Sequence, residues 1–259
     1  MMSYALAAAQ ALYTNDIRFA GARFHVPGSM AIRLSTVLGN RRIHQLMDPF
    51  LTPGAVVVDA GANIGYNTVY AAQRVGPRGR VIAVEPAGDN LVVLRRNVAE
   101  NAMNNVTIAA VAAGRVKETR SFYLRGDISA VNSFFEDSVY ASVTDVVQVP
   151  VEKLDDLVDG EADLVKIDVE GAELDVLGGM TRLLESARIN LVVEWHPLLQ
   201  EKAGYDAAAL PRLLLDLGFT LVGASHTGAS PVTLNDVPAM IERLSTSGRP
   251  VDLLARRGV

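Results

Sequence analysis

The chain has 259 residues, of which 49% are hydrophobic, so it holds enough apolar material for one large domain or two small ones. Its net charge is −5 and its basic pairs are isolated, so we expect no nucleic-acid partner, which would need a concentrated basic face. It has no cysteine, which excludes disulfides, thiolate nucleophiles and cysteine-ligated zinc.

The first part of the chain is expected to be mainly helical. The pattern predicts a helix over residues 1–20, a short β segment over 18–27 and a helix over 29–51. The alanine-rich start lacks the basic residues of a signal peptide, so the expected location is the cytoplasm. No apolar stretch reaches the ~18 residues of a membrane-spanning helix, so we expect no membrane span.

Apolar side chains in the first predicted helix could serve assembly. Leu6, Leu12 and Tyr13 are candidates to pack against a second copy of the chain. A homo-oligomer is therefore one possibility that the sequence leaves open.

A glycine-rich motif follows, reading A-V-V-V-D-A-G-A-N-I-G-Y from Ala55. Its apolar run predicts a short buried strand that ends at Asp59. Gly61 and Gly65, with Asn63 between them, allow a tight turn and a close approach by a ligand. The helix that follows leaves unpaired N–H groups at its start, so a nucleotide-like cofactor is the expected occupant.

A second apolar strand, V-I-A-V-E-P, follows about twenty residues later and ends at Glu85. A carboxylate in this position can accept hydrogen bonds from the two ribose hydroxyls of a nucleotide. The glycine spacing is D-x-G-x-N-x-G, so it matches only two of the three glycines of a dinucleotide fingerprint.

From Ala55 onward, strands and helices alternate, which predicts a largely parallel sheet with helices on both faces. Two further extended segments are expected around a polar loop that contains Ser129 to Phe135. The fold class is therefore α/β, with about seven mostly parallel strands and an antiparallel last strand. The strands are predicted over 55–59, 80–85, 105–111, 162–168, 188–195, 219–223 and 250–256, the further extended segments over 116–124 and 145–151, and the helices over 66–75, 87–101, from about 171, 206–217 and 237–244.

Acidic residues cluster at the ends of the fourth and fifth strands. Asp168 ends the fourth strand, and Glu194 and His196 end the fifth, two residues apart and so on one face if the strand is still extended. Since ligands bind at the carboxyl ends of such strands, the three side chains are expected to converge. They could form a general base oriented by a carboxylate, hold a divalent cation, or play only structural roles.

Two neighbouring acids have less certain roles. Glu170 is undecided between capping the loop and joining the site. Glu173 falls in the first turn of a predicted helix, where a negative charge is stabilised by the helix dipole.

Four stretches together resemble the FkbM family of S-adenosylmethionine (SAM)-dependent methyltransferases: D-A-G-A-N-I-G-Y-N-T, V-E-P, L-V-K-I-D-V-E-G-A-E-L-D-V-L-G-G and V-V-E-W-H. The resemblance covers roughly residues 55–200, and the I-D-V-E-G-A-E block is its most specific part. It implies a class I methyltransferase fold and O-methylation of a hydroxyl on a sugar, glycan or natural product. Such proteins often carry N/S-S-L in the polar loop; here the loop reads A-V-N-S-F-F, so that match is partial.

The resemblance also implies a division of labour along the chain. Residues 51–259 would form the SAM-binding methyltransferase domain, and residues 1–50 a helical cap that sets acceptor specificity. The residues implied in SAM binding, with S-adenosylhomocysteine (SAH) as the product, are Asp59, Gly61, Asn63, Gly65, Glu85, Ala112 and Ala113.

Catalysis is assigned to Asp168, Glu194 and His196, and the same three residues are the ligands if Mg²⁺ or another divalent cation is used. The acceptor is expected to be a small molecule or a glycan. Two alternatives remain: an NAD(P)-dependent oxidoreductase, disfavoured by the missing third glycine, and a non-catalytic methyltransferase-like binding module.

Overall fold

The computed structural model describes residues 4–125, 132–136, 142–225 and 228–257. Helices and strands alternate through most of this part of the chain. In chain order they are α1 (Tyr4–Ala11), β1 (Asp16–Phe19), β2 (Ala22–His25), α2 (Met30–Met47), a 3-10 turn (Asp48–Phe50), β3 (Val56–Ala60), α3 (Tyr66–Val75), β4 (Arg80–Val84), α4 (Gly88–Glu100), β5 (Val106–Ala109), β6 (Ala112–Ala113), β7 (Glu118–Leu124), β8 (Asp145–Glu152), α5 (Leu154–Leu157), β9 (Leu164–Ile167), α6 (Glu173–Gly178), α7 (Thr181–Glu185), β10 (Asn190–Trp195), α8 (Pro197–Lys202), α9 (Ala209–Asp216), β11 (Phe219–Ser225), β12 (Gly228–Val232), α10 (Val237–Ser247) and β13 (Val251–Arg257).

Within the described residues, the central sheet has eight strands in the order β12-β11-β13-β10-β9-β3-β4-β5. The five strands from β10 to β5 are parallel, and β13 is inserted antiparallel between β10 and β11. The predicted class, a mostly parallel α/β sheet with an antiparallel last strand, is confirmed. The edge strand β12 was not predicted.

The parallel strands form because their sequences are apolar on both faces. Val57 and Val58 of β3 are fully buried, one towards each side of the sheet. On one side the core is completed by α6, α7, α9 and α10, and on the other by α1, α2, α3 and the β1–β2 hairpin. The core is therefore two layers of helices around one sheet.

The amino-terminal segment is less helical than the sequence predicts. The first helix ends at Ala11 and not near residue 20, because Thr14 turns the chain and its hydroxyl accepts a hydrogen bond from the Asp16 N–H (3.1 Å). The β1–β2 hairpin follows, with Ile17 and Phe24 buried against the helices. The predicted β segment is thus one part of a hairpin.

A small second sheet covers one end of the central sheet, in the order β6-β8-β7. The two predicted extended segments form its antiparallel pair, in register from Glu118 opposite Val151 to Leu124 opposite Asp145. Between these strands, residues 132–136 fold back onto β7 through a bridge from Ser133 to Tyr123. Ser129 to Val131 of the predicted site loop lie outside the described residues.

The chain order fixes where a ligand can bind. From β3 the chain proceeds outward to β4 and β5, and it then returns to the other side of β3 to form β9 and β10. The strand order therefore reverses between β3 and β9, and a crevice opens beyond their carboxyl ends. In the described residues, no helix has the length and apolar character to cross a membrane.

Candidate active site

A cavity of about 1070 Å³ lies in this crevice. Ligand pockets commonly measure about 300–1,000 Å³, so there is room for a cofactor and a second small molecule together. Its walls come from four places: the segment from Val26 to Ile43, the turns after β3 and β4, the small sheet, and the ends of β9, β10 and β13.

The glycine turn after β3 forms one wall of the cavity. Gly61 and Asn63 line it, as do Ile64 and Tyr66 on either side of Gly65. Gly61, Asn63 and Gly65 all have positive φ, at 79°, 50° and 82°. A Cβ on Gly61 would lie 1.8 Å from the carbonyl oxygen of Asp168, and one on Gly65 would lie 2.4 Å from Leu94. Gly61 is therefore required by packing of the turn against the end of β9, and Gly65 is favoured by its positive φ.

Glu85, at the end of β4, joins the walls together. It is buried, and its two carboxylate oxygens accept hydrogen bonds from the N–H groups of Asn63 (2.8 Å) and Ala87 (2.9 Å) and from the Asn90 side chain (3.1 Å). Burial raises the pKa of the Glu85 carboxyl, and these three hydrogen bonds oppose that rise. Glu85 lines the cavity beside the glycine turn, as the sequence predicts.

Asp59 takes a different place from the one expected of a ligand contact. It is fully buried, is not among the residues that line the cavity, and accepts a hydrogen bond from the Thr68 hydroxyl (2.6 Å). Its other oxygen lies 3.2 Å from the Nζ of Lys166. The interactions of Asp59 thus come from the protein, and any effect on a ligand passes through Lys166.

Lys166 was not predicted to belong to the site. Its ammonium lies 3.2 Å from Asp59 and 3.3 Å from Asp168, and it donates a hydrogen bond to the Gly61 carbonyl (2.9 Å). Burial disfavours its charged form, but the two carboxylates outweigh that effect and hold the pKa of Lys166 above its usual value. The signal was visible in the sequence: one lysine within the apolar strand D-L-V-K-I-D.

Ala112 and Ala113 form β6 and pair with β8. Both are buried and both line the cavity. Ala112 packs in one apolar cluster with Ala87, which follows β4, and with Phe122 and Phe134 of the small sheet and its loop.

Three carboxylates converge in the cavity where β9 and β10 end. Asp168, Glu170 and Glu194 each place an oxygen within 4.8 Å of the others. Burial, followed by repulsion from the neighbouring carboxylates, raises the pKa values of Glu170 and Glu194 well above the usual range. Carboxyls in such a group can hold and exchange protons.

Glu170 enters this acid cluster because the chain turns sharply after β9. Its φ is +54°, an unusual conformation for a residue with a side chain, and one of its carboxylate oxygens is buried without a hydrogen-bond partner among the described residues. The sequence left its role open, and the structure places it in the cavity wall.

His196 does not join Asp168 and Glu194. The strand ends at Trp195, and His196 is the first residue of the turn into α8, so the alternation that would align it with Glu194 stops before it. Its side chain is buried outside the cavity wall, and burial lowers its pKa. The expected convergence of these three residues is therefore not found; Glu170 occupies the third place.

Glu173 is buried behind the acid cluster and caps its loop. Its carboxylate accepts hydrogen bonds from the N–H groups of Val169 (3.3 Å) and Gly171 (3.0 Å) and from the Gln200 side chain (2.5 Å). Burial raises the pKa of Glu173 to about 7. Its position in the first turn of α6 agrees with a structural role.

Comparison with known proteins now gives this site a context. The sequence profile of the methyltransferase FkbM domain matches residues 59–221. Methyltransferase sdnD of Sordaria araneosa is 32% identical in an alignment of 191 positions that covers 58% of this chain and 73% of that protein. Methyltransferase 1 of Beauveria bassiana is 30% identical in an alignment of 196 positions that covers 68% of this chain and 76% of that protein.

A solved structure from Clostridium thermocellum, described as an rRNA methylase, aligns with a TM-score of 0.50. It covers 85% of this chain and 97% of that chain at 12% identity, so it shows the shared fold alone. The profile match extends over the glycine turn, Glu85 and the acid cluster, which is more than half of the sequence. The chain belongs to the FkbM family of methyltransferases.

Proposed function

We propose that the protein is a SAM-dependent O-methyltransferase that acts on a hydroxyl of a sugar, glycan or other natural product. One observation carries this proposal: the acid cluster and the glycine turn share one cavity and are joined where Gly61 packs on Asp168. A methyl donor held at the turn and an acceptor hydroxyl held at the cluster would therefore meet.

The walls near the turn fit SAM. Gly61, Asn63 and Gly65 lead into the start of α3, where unpaired backbone N–H groups favour a carboxylate. Glu85 uses three of its roughly four acceptor sites within the protein and keeps one for a ribose hydroxyl. Ala112 and Ala113 offer an apolar surface for adenine. Asp59 would affect SAM binding indirectly, because its ion pair holds the Lys166 side chain in place. SAM, when bound, supplies an electrophilic methyl group to the acceptor oxygen.

The protein would contribute to catalysis by positioning the acceptor hydroxyl and by removing its proton. Methyl transfer is an in-line substitution, so holding the acceptor oxygen in line is the main task. An alcohol is a weak nucleophile, and a carboxylate of the acid cluster would accept its proton as the bond to carbon forms. Asp168 and Glu194 are the proposed bases, with Glu170 beside them. His196 is not retained in this role because it lies outside the cavity wall.

The charge of the cavity favours a hydroxyl acceptor over an anionic one. Its two basic lining residues among those described, Arg42 and Lys166, are both paired with carboxylates. The described lining of the cavity therefore offers no cation without a carboxylate partner to bind a phosphate or carboxylate acceptor. This supports a neutral small molecule or glycan and argues against a nucleic-acid acceptor.

The acid cluster could instead hold a divalent cation, with Asp168, Glu170 and Glu194 as oxygen ligands. A cation would polarise the acceptor hydroxyl in place of a carboxylate base. Methyl transfer that is unchanged by EDTA would support the carboxylate base, whereas transfer that stops and is restored by Mg²⁺ would support the cation.

The experiment is transfer of a labelled methyl group from SAM to a panel of neutral glycosides, oligosaccharides and phenols. Asp168→Asn and Glu194→Gln are expected to lower turnover by ~10²-fold or more for the residue that is the base, while SAH affinity is retained. The product should resist alkaline hydrolysis, as a methyl ether does and a methyl ester does not. Unchanged turnover in both variants would contradict the proposed mechanism.

Two further proposals concern the amino-terminal segment. Residues 1–50 are proposed as an acceptor-specificity extension of the methyltransferase domain (51–259), supported by the cavity-lining residues between Val26 and Ile43. A homo-oligomer is proposed through Leu12 and Tyr13, which are 38% and 87% exposed; the side chain of Leu6 lies outside the described residues. Light scattering on the purified protein measures the oligomeric state.

A further inference from the structure

One face of α2 forms a wall of the cavity. Thr36, Gly39, Asn40 and Ile43 all line it, at the spacing of three and four residues that places side chains on one face of a helix. None of these four side chains carries a charge. An uncharged part of a ligand can therefore lie against α2 without leaving a buried charge unpaired.

A buried ion pair fixes where this wall stands. Arg42, on the next turn of α2, pairs with Asp252 of β13, which is buried. Asp252 lies directly opposite Glu194 in the antiparallel register of β13 and β10. The α2 wall is thus anchored beside the acid cluster, at the end of the cavity away from Glu85.

Gly39 is the unexpected member of this wall. It lies in the interior of an 18-residue helix, where glycine is the poorest residue apart from proline. It is not among the glycines with positive φ, so its backbone does not require glycine. A Cβ built on it would have no described atom within 4 Å, so packing does not require glycine either.

The glycines of the turn after β3 differ from Gly39 in their surroundings. At Gly61 and Gly65 an added Cβ would collide with a carbonyl oxygen or a leucine. At Gly39, which lines the cavity and is exposed, the added Cβ would meet only open space among the described atoms. What the glycine provides is empty space at the cavity wall, three residues before the Arg42 that pairs with Asp252.

We propose that Gly39 sets the size of the acceptor compartment, and that a ring-sized, uncharged part of the acceptor lies against the α2 face at this residue. This inference rests on the proposed function, since it assigns the second half of the cavity to the methyl acceptor. A larger side chain at residue 39 would exclude bulky acceptors. It would leave unchanged the part of the cavity around the glycine turn and Glu85, which we call the cofactor half.

The test uses probes that reach the acceptor compartment without knowledge of the natural acceptor. These are SAH analogues in which nitrogen replaces sulfur and carries a methyl, butyl or 3-phenylpropyl group. The substituent is attached to the nitrogen that stands in the place of the sulfur, the atom from which the methyl group would depart. Isothermal titration measures their affinities for wild type, Gly39→Ala, Gly39→Phe and the control Leu38→Phe, whose residue is 53% exposed outside the cavity wall.

We expect SAH and the methyl analogue to bind all four proteins within about twofold. The 3-phenylpropyl analogue should bind Gly39→Phe about 10-fold or more weakly than it binds wild type. Its affinity for Leu38→Phe should equal that for wild type. Gly39→Ala should unfold roughly 2–4 °C higher than wild type, which shows that the wild-type residue is not kept for stability.

The inference would be overturned by a 3-phenylpropyl analogue that binds Gly39→Phe as well as it binds wild type, or by a folded Gly39→Phe that also loses SAH binding. A 3-phenylpropyl analogue that fails to bind wild type, although SAH binds, would also overturn it, because no compartment would then extend from the sulfur position. Failure of wild type to bind SAH would instead contradict the proposed function, and the inference would fall with it.

Discussion

Lys166 shows how one buried charge organises the site. Its ammonium links Asp59 on β3, Asp168 after β9 and the carbonyl of Gly61 in the glycine turn. A buried charge that loses its partner is strongly destabilising, because its desolvation is no longer compensated. The network therefore couples the stability of the fold to the geometry of the turn.

Replacement of Lys166 by methionine should cost about 3–5 kcal/mol in the free energy of unfolding, because Asp59 would be left buried without its counter-charge. The double variant Lys166→Met with Asp59→Asn should recover most of that loss. Lys117→Met is the matched control: its side chain is 75% exposed, so loss of its pair with Glu152 should leave the free energy of unfolding nearly unchanged. Urea denaturation measures all three. Equal losses for Lys166→Met and Lys117→Met would contradict the account.

Glu173 makes stability depend on pH. Burial raises its pKa from 4.5 to about 7, so the folded protein binds this proton more tightly than the unfolded chain does. The free energy of unfolding should therefore fall as pH rises from about 4.5 to about 7, by up to about 1.4 kcal/mol per pH unit for this group, and then level off.

Glu173→Gln should reduce that slope, because glutamine does not titrate but keeps an oxygen for the Gly171 N–H. The measurement is urea denaturation at pH 4.5, 6 and 8, with the exposed Glu201→Gln as control. A slope in Glu173→Gln equal to that of wild type would show that Glu173 is not the group responsible.

At the residue scale, the sequence pattern predicted the positions of side chains at the ends of strands but not of those in the turns beyond them. Glu85, Asp168 and Glu194 line the cavity because each strand's last residues point to one crevice. His196 was misplaced because the alternation of a strand gives no warning of where the strand stops. Glu170 could not be assigned because its position depends on a positive φ that no residue pattern reveals.

At the scale of elements, the glycine turn is held by close packing between two strand ends. Gly61→Ala should cost roughly 3 kcal/mol or more, since the methyl group meets the Asp168 carbonyl and the residue must adopt φ +79°. The effect should reach the cofactor half of the cavity, so SAH affinity should fall as well.

Gly76→Ala separates the two contributions to that cost. Gly76 also has a positive φ, at 66°, but a Cβ there meets no described atom within 4 Å. This control should lose only about 1–2 kcal/mol and keep its SAH affinity. Thermal unfolding and SAH titration of both variants test the prediction, and equal effects would contradict a special role for the contact with Asp168.

Elements were predictable where their pattern was long and regular. The helix over 66–75 was predicted with the bounds of α3, because apolar periodicity and a following Gly-Pro pair agree. The strand β12 was missed because G-A-S-P-V contains glycine and proline and is held by its pairing with β11. The first helix was predicted too long because alanine favours helix whatever the tertiary context.

At the scale of the whole molecule, the buried Asn97 links the amino-terminal segment to the glycine turn. The Asn97 side chain, on α4, accepts a hydrogen bond from the His25 N–H (2.7 Å) and donates to the carbonyls of His25 (3.0 Å) and Ile64 (2.8 Å). Ile64 belongs to the glycine turn. The β1–β2 hairpin and the turn are therefore held by the same side chain.

Asn97→Ala should cost about 2–4 kcal/mol, because three hydrogen bonds are lost and buried backbone groups are left without partners. Asn101→Ala removes two more exposed bonds to Arg23 and one to the Asn97 carbonyl, and it should cost only about 1 kcal/mol because the Arg23 groups stay open to water. Urea denaturation compares the two. A loss for Asn101→Ala as large as that for Asn97→Ala would contradict the role assigned to the buried contact.

The architecture as a whole was more predictable than the site within it. Alternating strands and helices allow few arrangements, and a last strand close in sequence to its neighbour favours the antiparallel insertion of β13 that is observed. The cavity wall from α2 could not be foreseen, because the ion pair that positions it joins Arg42 to Asp252, more than 200 residues away. Contacts of that separation leave no local pattern.

The most direct measurement is isothermal titration of SAH into wild type, Glu85→Gln, Glu85→Ala and Glu194→Gln, with thermal unfolding as a check on each fold. We expect a single site with micromolar affinity in wild type, affinity about 10-fold weaker or more in both Glu85 variants, and affinity unchanged within about twofold in Glu194→Gln. Absence of binding in the folded wild type, or binding that does not depend on Glu85, would contradict the assignment of the crevice between β3 and β9 to the methyl donor.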